Sequence, residues 1–276
     1  MQVINTNVMS INAQRNLDAT QGALASSIQR LSTGLRVNSS KDDAAGLAIA
    51  ERMNAQVRGM NVAMRNANDA ISLAQTAEGS LAKVGDMLQR MRELAVQSAN
   101  ATNGSGDRAN LDLEFQQLAD EIDRTLQGTR FNGSAILGGS AGGLTFQIGA
   151  GTSTTDTLTV TTTNMATAAS ILAIGTAVIS SATGATASIT AIDTALDVVN
   201  TERATYGAVQ NRFEAVIGTL QVSAENQTAA RSRIMDADFA KETAALTRAQ
   251  ILQQAGTAML AQANAAPQTV LSLLRS

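Results

Sequence analysis

The sequence predicts a mainly α chain: long antiparallel helices packed as a coiled-coil-like rod, with a β-hairpin in the middle of the chain. Three observations carry this expectation. Apolar residues recur at alternating steps of three and four on both sides of the middle, the spacing that keeps one helix stripe facing a partner. Aromatics are 2% and one proline occurs in 276 residues, which suits long unbroken helices better than a wide globular core. Finally, 36 consecutive residues, Thr157 to Ile192, carry no charge while both flanks are charged. The chain is therefore expected to run out, turn in its uncharged middle and return, bringing both termini to one end.

The N-terminal segment has a thin stripe, Leu24, Ile28, Leu31 and Leu35. Before it, Ile4, Val8 and Ile11 fit one register, while Leu17, Leu24 and Leu31 fit another shifted by one residue. That leaves the continuity of the first helix open, and a stripe this sparse is marginally stable alone. Turn formers follow in GLRVNSSKDD, and Asp42 or Asp43 is placed to cap a helix beginning at Ala44.

From Val57 the seam is Val57, Met60, Met64, Ala67, Ile71, Ala74, Leu81, Leu88 and Ala95, interrupted by Glu78, Gly85 and Arg92. After the break NGSGD, Asp107 can cap a helix containing Leu111, Phe115, Leu118 and Ile122. Gly128 ends it, ahead of a turn at Asn132 and Gly133. The period then changes to two: Leu144, Phe146 and Ile148, then Leu158 and Val160, alternate with polar or small residues across a Gly, Ser and Thr-rich turn, which reads as a β-hairpin. Met165 to Ala187 suits helix or strand equally.

The return seam is Ile189, Ile192, Leu196, Val199, Tyr206, Phe213, Ile217 and Leu220, with Arg203 and Gln210 as polar interruptions. Two such seams, each unfavourable in water alone, imply mutual packing. A last thin stripe is Phe239, Leu246, Leu260, Val270 and Leu274.

Composition narrows the chemistry. With no cysteine and no histidine, disulfides, thiolate metal sites, a Cys nucleophile and the commonest general base are all absent. A net charge of -3 and no basic cluster with interleaved aromatics argue against nucleic acid. The start lacks a basic and then apolar signal pattern, and the apolar run Met165 to Ile179 is too short to span a bilayer. The cluster Lys41, Asp42 and Asp43 could hold a cation, but helix capping explains it more simply. Met53, Met60, Met64, Met87 and Met91 lie at seam-like spacing, where Met fills cores. The glycine-rich turns lack phosphate-loop spacing, and Arg90, Arg92 and Glu93 read as a solvated helix face. No cofactor and no enzyme activity are expected.

Specific motifs run nearly the whole length. They include INTNVMSINAQRNL, LSTGLRVNSSKDDAAGLAIAERM, LQRMRELAVQSANAT and DEIDRTLQGTRFNGSAIL early, and AIDTALDVVNTERATYGAVQNRFE, IMDADFAKETAALTRAQILQQAGTAMLAQAN and PQTVLSLL late. On these the chain resembles the bacterial flagellins. The resemblance implies an inner helical domain from residues 1–40 and 240–276, and a rod domain from 41–164 and 188–239 with its hairpin near 144–163. Residues 165–187 would be a minimal distal insertion, in place of the outer domains of larger flagellins.

The implied function is a structural subunit that polymerises with itself into the extracellular flagellar filament for motility, its terminal helices folding on assembly. Leu24, Ile28, Leu31, Leu246, Leu260, Leu271 and Leu274 are the candidate assembly residues. The resemblance also implies type III export without a cleaved signal peptide, and partners: a flagellar export chaperone, the filament cap and the hook-junction proteins. A host Toll-like receptor would read the monomer through Gln89, Arg90, Leu94 and Glu114. The competing readings are a hook-filament junction protein and a non-flagellar coiled-coil adaptor.

Overall fold

The computed structural model describes residues 6–139 and 142–273, with 267–273 described by backbone alone. The helices are α1 (Val8–Thr33), α2 (Ala44–Ala99), α3 (Ser105–Gly128), α4 (Ala169–Gly175), α5 (Ala182–Met235) and α6 (Phe239–Leu273). Between α3 and α4 lie two antiparallel strand pairs, β1 (Arg130–Phe131) with β2 (Ser134–Ala135), and β3 (Gly143–Gln147) with β4 (Thr157–Thr161). The chain divides into two compact units, Met1–Ala55 with Asn226–Ser276, and Gln56–Glu225. These divisions fall inside α2 and α5, farther from the two ends of the chain than the expected boundaries at 40 and 240. The reason is local: Val37, Ala50 and Met235 form a small core of their own in the first unit, flanked by Leu35, Leu47 and Ile234.

The second unit holds the main core. On α2 the seam residues Met60, Ala67, Ala74, Leu81, Leu88 and Ala95 are buried, and on α5 so are Ile192, Val199, Tyr206 and Phe213. The polar interruptions pair with one another. Glu78 accepts from Gln210 Nε2 at 3.4 Å and lies 3.6 Å from the Arg203 guanidinium, while Arg92 reaches Asp193 at 2.7 Å. As the α2 number rises the α5 number falls, so this pair is antiparallel. The polar seam breaks Glu78, Arg92, Arg203 and Gln210 thus each face a group that can pair with them.

Capping sets the helix limits. Asp43 Oδ1 accepts from Gly46 N at 2.7 Å and starts α2, whereas Asp42 folds back to accept from Asn38 N, Ser39 N and the Ser39 hydroxyl. Asp107 sits inside the first turn of α3 instead of before it, and its carboxylate accepts from Gly104 N at 3.1 Å. Gly128 closes α3, and Asn132 (φ 47°) with Gly133 (φ 82°) makes the tight turn joining β1 to β2, the positive-φ pair that hairpins of this length require.

In the larger hairpin Leu144 pairs with Val160 and Phe146 with Leu158, so the alternating apolar residues share one face. That face lies on Ala67, Ala70 and Phe213. The Phe146 and Phe213 rings meet edge to face, centroids 5.7 Å apart. Asn66 Nδ2 donates to Gln147 O at 2.9 Å.

The uncharged stretch has a use that alternation alone did not reveal. Met165, Ile171, Ile174, Ile179, Ala185 and Ile192 are all buried in the same core as Leu81 and Leu88. Its irregular backbone is tied down by Asp112, whose Oδ1 accepts from Ile179 N at 2.7 Å, and by Ser98, whose hydroxyl donates to Ile179 O at 2.5 Å. Residues 165–187 are therefore an integral layer of the second unit, with α4 as their helical part. A charge at Met165, Ile171, Ile174, Ile179 or Ala185 would have no water.

Candidate functional site

In the first unit α1 and α6 run antiparallel, as three cross-links record. Asn7 Nδ2 donates to Ala263 O at 2.7 Å, the Ser10 hydroxyl to Asn264 Oδ1 at 2.7 Å, and Arg30 pairs with Glu242 at 3.1 Å. Helix α1 is continuous from Val8: Asn7 caps it by accepting from Ser10 N, and the two apolar registers merge within one helix. Ile4 lies outside the described residues. At the other end Gly34 (φ 71°) closes α1 in the left-handed conformation. Leu35 and Asp236 then bridge in antiparallel fashion, with Ala237 N donating to Gly34 O at 2.9 Å.

This pair has almost no apolar core of its own. The only buried residues of α1 are Ser10 and Ser27, and among the described side chains of α6 the buried apolar ones are Ala249 and Ala263. Leu24, Leu31, Leu246 and Leu260 are half-buried, and Ile28 is 51% exposed. Leu271 belongs to α6 by backbone, its side chain outside the description, and Leu274 lies outside the described residues.

The larger apolar residues point away from the pair. Met9, Ile11, Ile251, Leu252 and Met259 are all exposed. A groove of about 900 Å³ runs between the helices, with Met9, Leu17, Ala249, Leu252, Gly256 and Met259 in its wall. At Gly256 a Cβ would stand 3.2 Å from the Leu17 side chain, so glycine lets the helices approach there. Sequence reading missed Met9, Ile251, Leu252 and Met259 because they fall off the stripe α1 and α6 use for each other. The available signal was an excess of apolar residues beyond what one seam accommodates.

In the second unit Gln89, Arg90 and Glu114 are all exposed, and the last two meet. Arg90 donates to Glu114 through Nε at 2.9 Å and Nη2 at 2.8 Å, and to Glu93 through Nη1 at 2.9 Å. Leu94 departs from the expectation that it joins them. It is 1% exposed, because three residues after Met91 and one before Ala95 it falls on the core face of α2. Among the described residues no group of three or more acidic, Cys or His side chains could hold a metal, and no helix is long and apolar enough to cross a membrane.

Residues 4–142 match the bacterial flagellin N-terminal helical region, and 189–274 match the C-terminal helical region. The chain is 46% identical over 273 residues to a flagellin of Halalkalibacterium halodurans, covering 99% of this chain and 100% of that one. It is 42% identical over 288 residues to flagellin FlaB2 of Treponema pallidum, again covering 99% and 100%. With flagellin D of Vibrio anguillarum the identity is 35% over 372 aligned positions, covering 98% and 99%. That alignment is longer than the 276 residues available here, so the Vibrio relative carries sequence this chain lacks. Among solved structures, Bacillus cereus flagellin superposes with a TM-score of 0.51 at 34% identity, covering 60% of this chain and 94% of that one. Two thin terminal helices, two long paired seams and these matches agree: the chain belongs to the bacterial flagellins, the structural subunits of the flagellar filament.

Proposed function

We propose that this subunit polymerises by covering the outward apolar face of α1 and α6 with the same helices of neighbouring copies, and that these helices complete their folding only then. The observation that carries the reading is the inversion in the α1 and α6 pair, where serines and alanines are buried while Met9, Ile251, Leu252 and Met259 are exposed. A helix pair that buries so little apolar surface cannot offset its conformational entropy alone. Neighbours supply the missing surface, so ordering and association are coupled. A head-to-tail contact whose rotation does not close yields an open helical filament. Leu24, Leu31, Leu246 and Leu260 hold the two helices together and Ile28 belongs to the outward set, while Leu271 and Leu274 stay assembly candidates on the sequence pattern alone.

The test is polymerisation of purified full-length protein, followed by light scattering and sedimentation. Ile251→Asp places a charge on the outward face without disturbing the second unit, and it should abolish filaments while leaving the helical signal of that unit intact. Normal filaments from this variant would sink the reading.

Export of the unfolded chain through the flagellum's own apparatus fits the same picture, with a chaperone shielding the apolar residues of α6 until assembly. Contacts with the filament cap and the hook-junction proteins would use the same terminal helices. Recognition of the monomer by a Toll-like receptor would rest on Gln89, Arg90 and Glu114, with Leu94 supporting that surface from beneath. In a receptor reporter assay, Arg90→Ala and Glu114→Ala should reduce signalling; unchanged signalling from both removes this part of the proposal.

A further inference from the structure

The ten methionines of this chain are not distributed at random over its surface. Of the nine described, Met60, Met91, Met165 and Met235 are buried and Met53, Met64 and Met87 are half-buried. Only Met9 and Met259 are exposed, at 69% and 64%, and both line the groove between α1 and α6. The rest of the chain offers little else to a two-electron oxidant. It has no cysteine, histidine or tryptophan, and its one tyrosine, Tyr206, is 1% exposed. Oxidation is therefore steered to one place by exposure and by composition together.

We propose that Met9 and Met259 form a redox-sensitive modification site, at which peroxide converts the unassembled subunit into one that does not polymerise. This inference rests on the reading that the α1 and α6 face is the assembly surface. A thioether sulfur attacks one oxygen of hydrogen peroxide; the S–O bond forms as the O–O bond breaks, and sulfur is oxidised by two electrons. The hydroxide released takes the proton left on the transferred oxygen and departs as water. The product is methionine sulfoxide, polar and chiral where the thioether was apolar and adaptable. In the free subunit water solvates the new S=O groups at no cost. Under a neighbouring copy each would lose that water in a groove walled largely by Leu17, Ala249, Leu252, Gly256 and further alanines, where the few donors are those of Asn12, Asn16, Thr20, Ser27 and Arg248, so the polar oxygen is buried at a cost the thioether does not have. Once a filament has formed, the same burial shields both sulfurs, so the site is open only before assembly.

The experiment treats the full-length monomer with dilute hydrogen peroxide, maps sulfoxide by peptide mass spectrometry and measures the critical concentration for polymerisation. Met9 and Met259 should oxidise ahead of the other seven described methionines, with a rise in critical concentration of about tenfold or more. A methionine sulfoxide reductase with a dithiol reductant should restore assembly, and in Met9→Leu with Met259→Leu peroxide should leave the critical concentration where that variant's own untreated sample has it. Preformed filaments should be oxidised at these two positions last. If both residues are oxidised and assembly is unchanged while Ile251→Asp still blocks it, the redox site is refuted and the assembly surface stands. If neither oxidation nor Ile251→Asp affects assembly, the assembly surface itself is refuted. A leucine pair that peroxide inactivates as fully as the native chain, or a reduced chain that does not recover, also overturns the proposal.

Discussion

Phe213 is where the returning helix meets the hairpin, and its removal should be the most damaging single truncation in the smaller cluster of the second unit. It is fully buried against Ala67, Ala70, Leu158 and Val160, with Phe146 edge-on at 5.7 Å. Truncating a buried Phe to Ala costs about 3–5 kcal/mol, depending on how far the surroundings collapse into the gap. Here they collapse little: two of the lining residues are alanines on α2, too short to reach across, and Val160 is stiff at χ1. A value of about 4 kcal/mol follows, of which the ring pair supplies about 0.5–1.5 kcal/mol. Urea unfolding of the full chain, followed through the fluorescence of Tyr206, reads this unit directly, because Tyr206 is the only tyrosine and there is no tryptophan. With a slope of about 2–3 kcal/mol per molar, Phe213→Ala should lower the midpoint by about 1.3–2 M. Phe213→Leu should cost less than half as much. A double-mutant cycle with Phe146→Leu should return a coupling of about 1 kcal/mol. A loss below about 1 kcal/mol for Phe213→Ala would refute the claim that this cluster fastens the hairpin to α2 and α5.

Three further outcomes follow from the polar groups. Glu78 and Arg203 are each more than a third exposed at 3.6 Å, so Glu78→Gln should cost under about 1 kcal/mol in thermal melts. Replacing Glu78, Arg203 and Gln210 together by Leu should hold or raise stability, and a loss above about 2 kcal/mol from the single change would contradict the pairing assigned here. Hydrogen bonds from Ser39, first its side chain and then its backbone, hold the Asp42 carboxyl below its ordinary value. The support Asp42 gives its loop is thus complete above about pH 3.9 and is lost as pH falls through the lower folded value. In a carboxyl NMR titration Ser39→Ala should move Asp42 upward, and no movement would rule out that cause. Burial, with a smaller contribution from Glu202, raises the Tyr206 phenol well above its ordinary value. The folded unit then holds the proton more tightly than the unfolded chain, so this stabilisation is full below about pH 10 and is lost as pH climbs toward the folded value. Phenolate absorbance should appear only as the helical signal collapses; titration near pH 10 in a fully helical protein would count against a buried Tyr206.

Much of the fold was legible in the sequence, because periodicity reports which face of an element avoids water. The α2 and α5 seams, the stop at Gly128, the Asn132 and Gly133 turn and the pairing of Leu144, Phe146, Leu158 and Val160 on one hairpin face can all be read from spacing. Residues 165–187 could not be, since a segment buried on several sides shows no period. Asp43 rather than Asp42 caps α2, a choice between adjacent carboxylates that loop geometry settles. The family resemblance set Leu94 beside Gln89 and Arg90 as a recognition residue, whereas the helix turns it inward.

The candidate assembly surface divides the same way. The thin stripes of α1 and α6 announced helices that need a partner, and Leu24, Leu31, Leu246 and Leu260 lie along them, all half-buried. The stripes did not say which apolar residues remain uncovered after the two helices have met. That follows only from their packing, which buries Ser10, Ser27, Ala249 and Ala263 and leaves Met9, Ile251, Leu252 and Met259 in water.

The sequence by itself determined that the chain is helical, that its two halves require each other, and that thiol and imidazole chemistry are closed to it, because composition and period act locally and survive any arrangement. Tertiary structure alone decided that Glu78 meets Arg203 and Gln210, that the uncharged middle becomes core, and that the two exposed methionines share one groove. Those are contacts between residues far apart in the chain, and their distances are set by packing, on which local periodicity is silent.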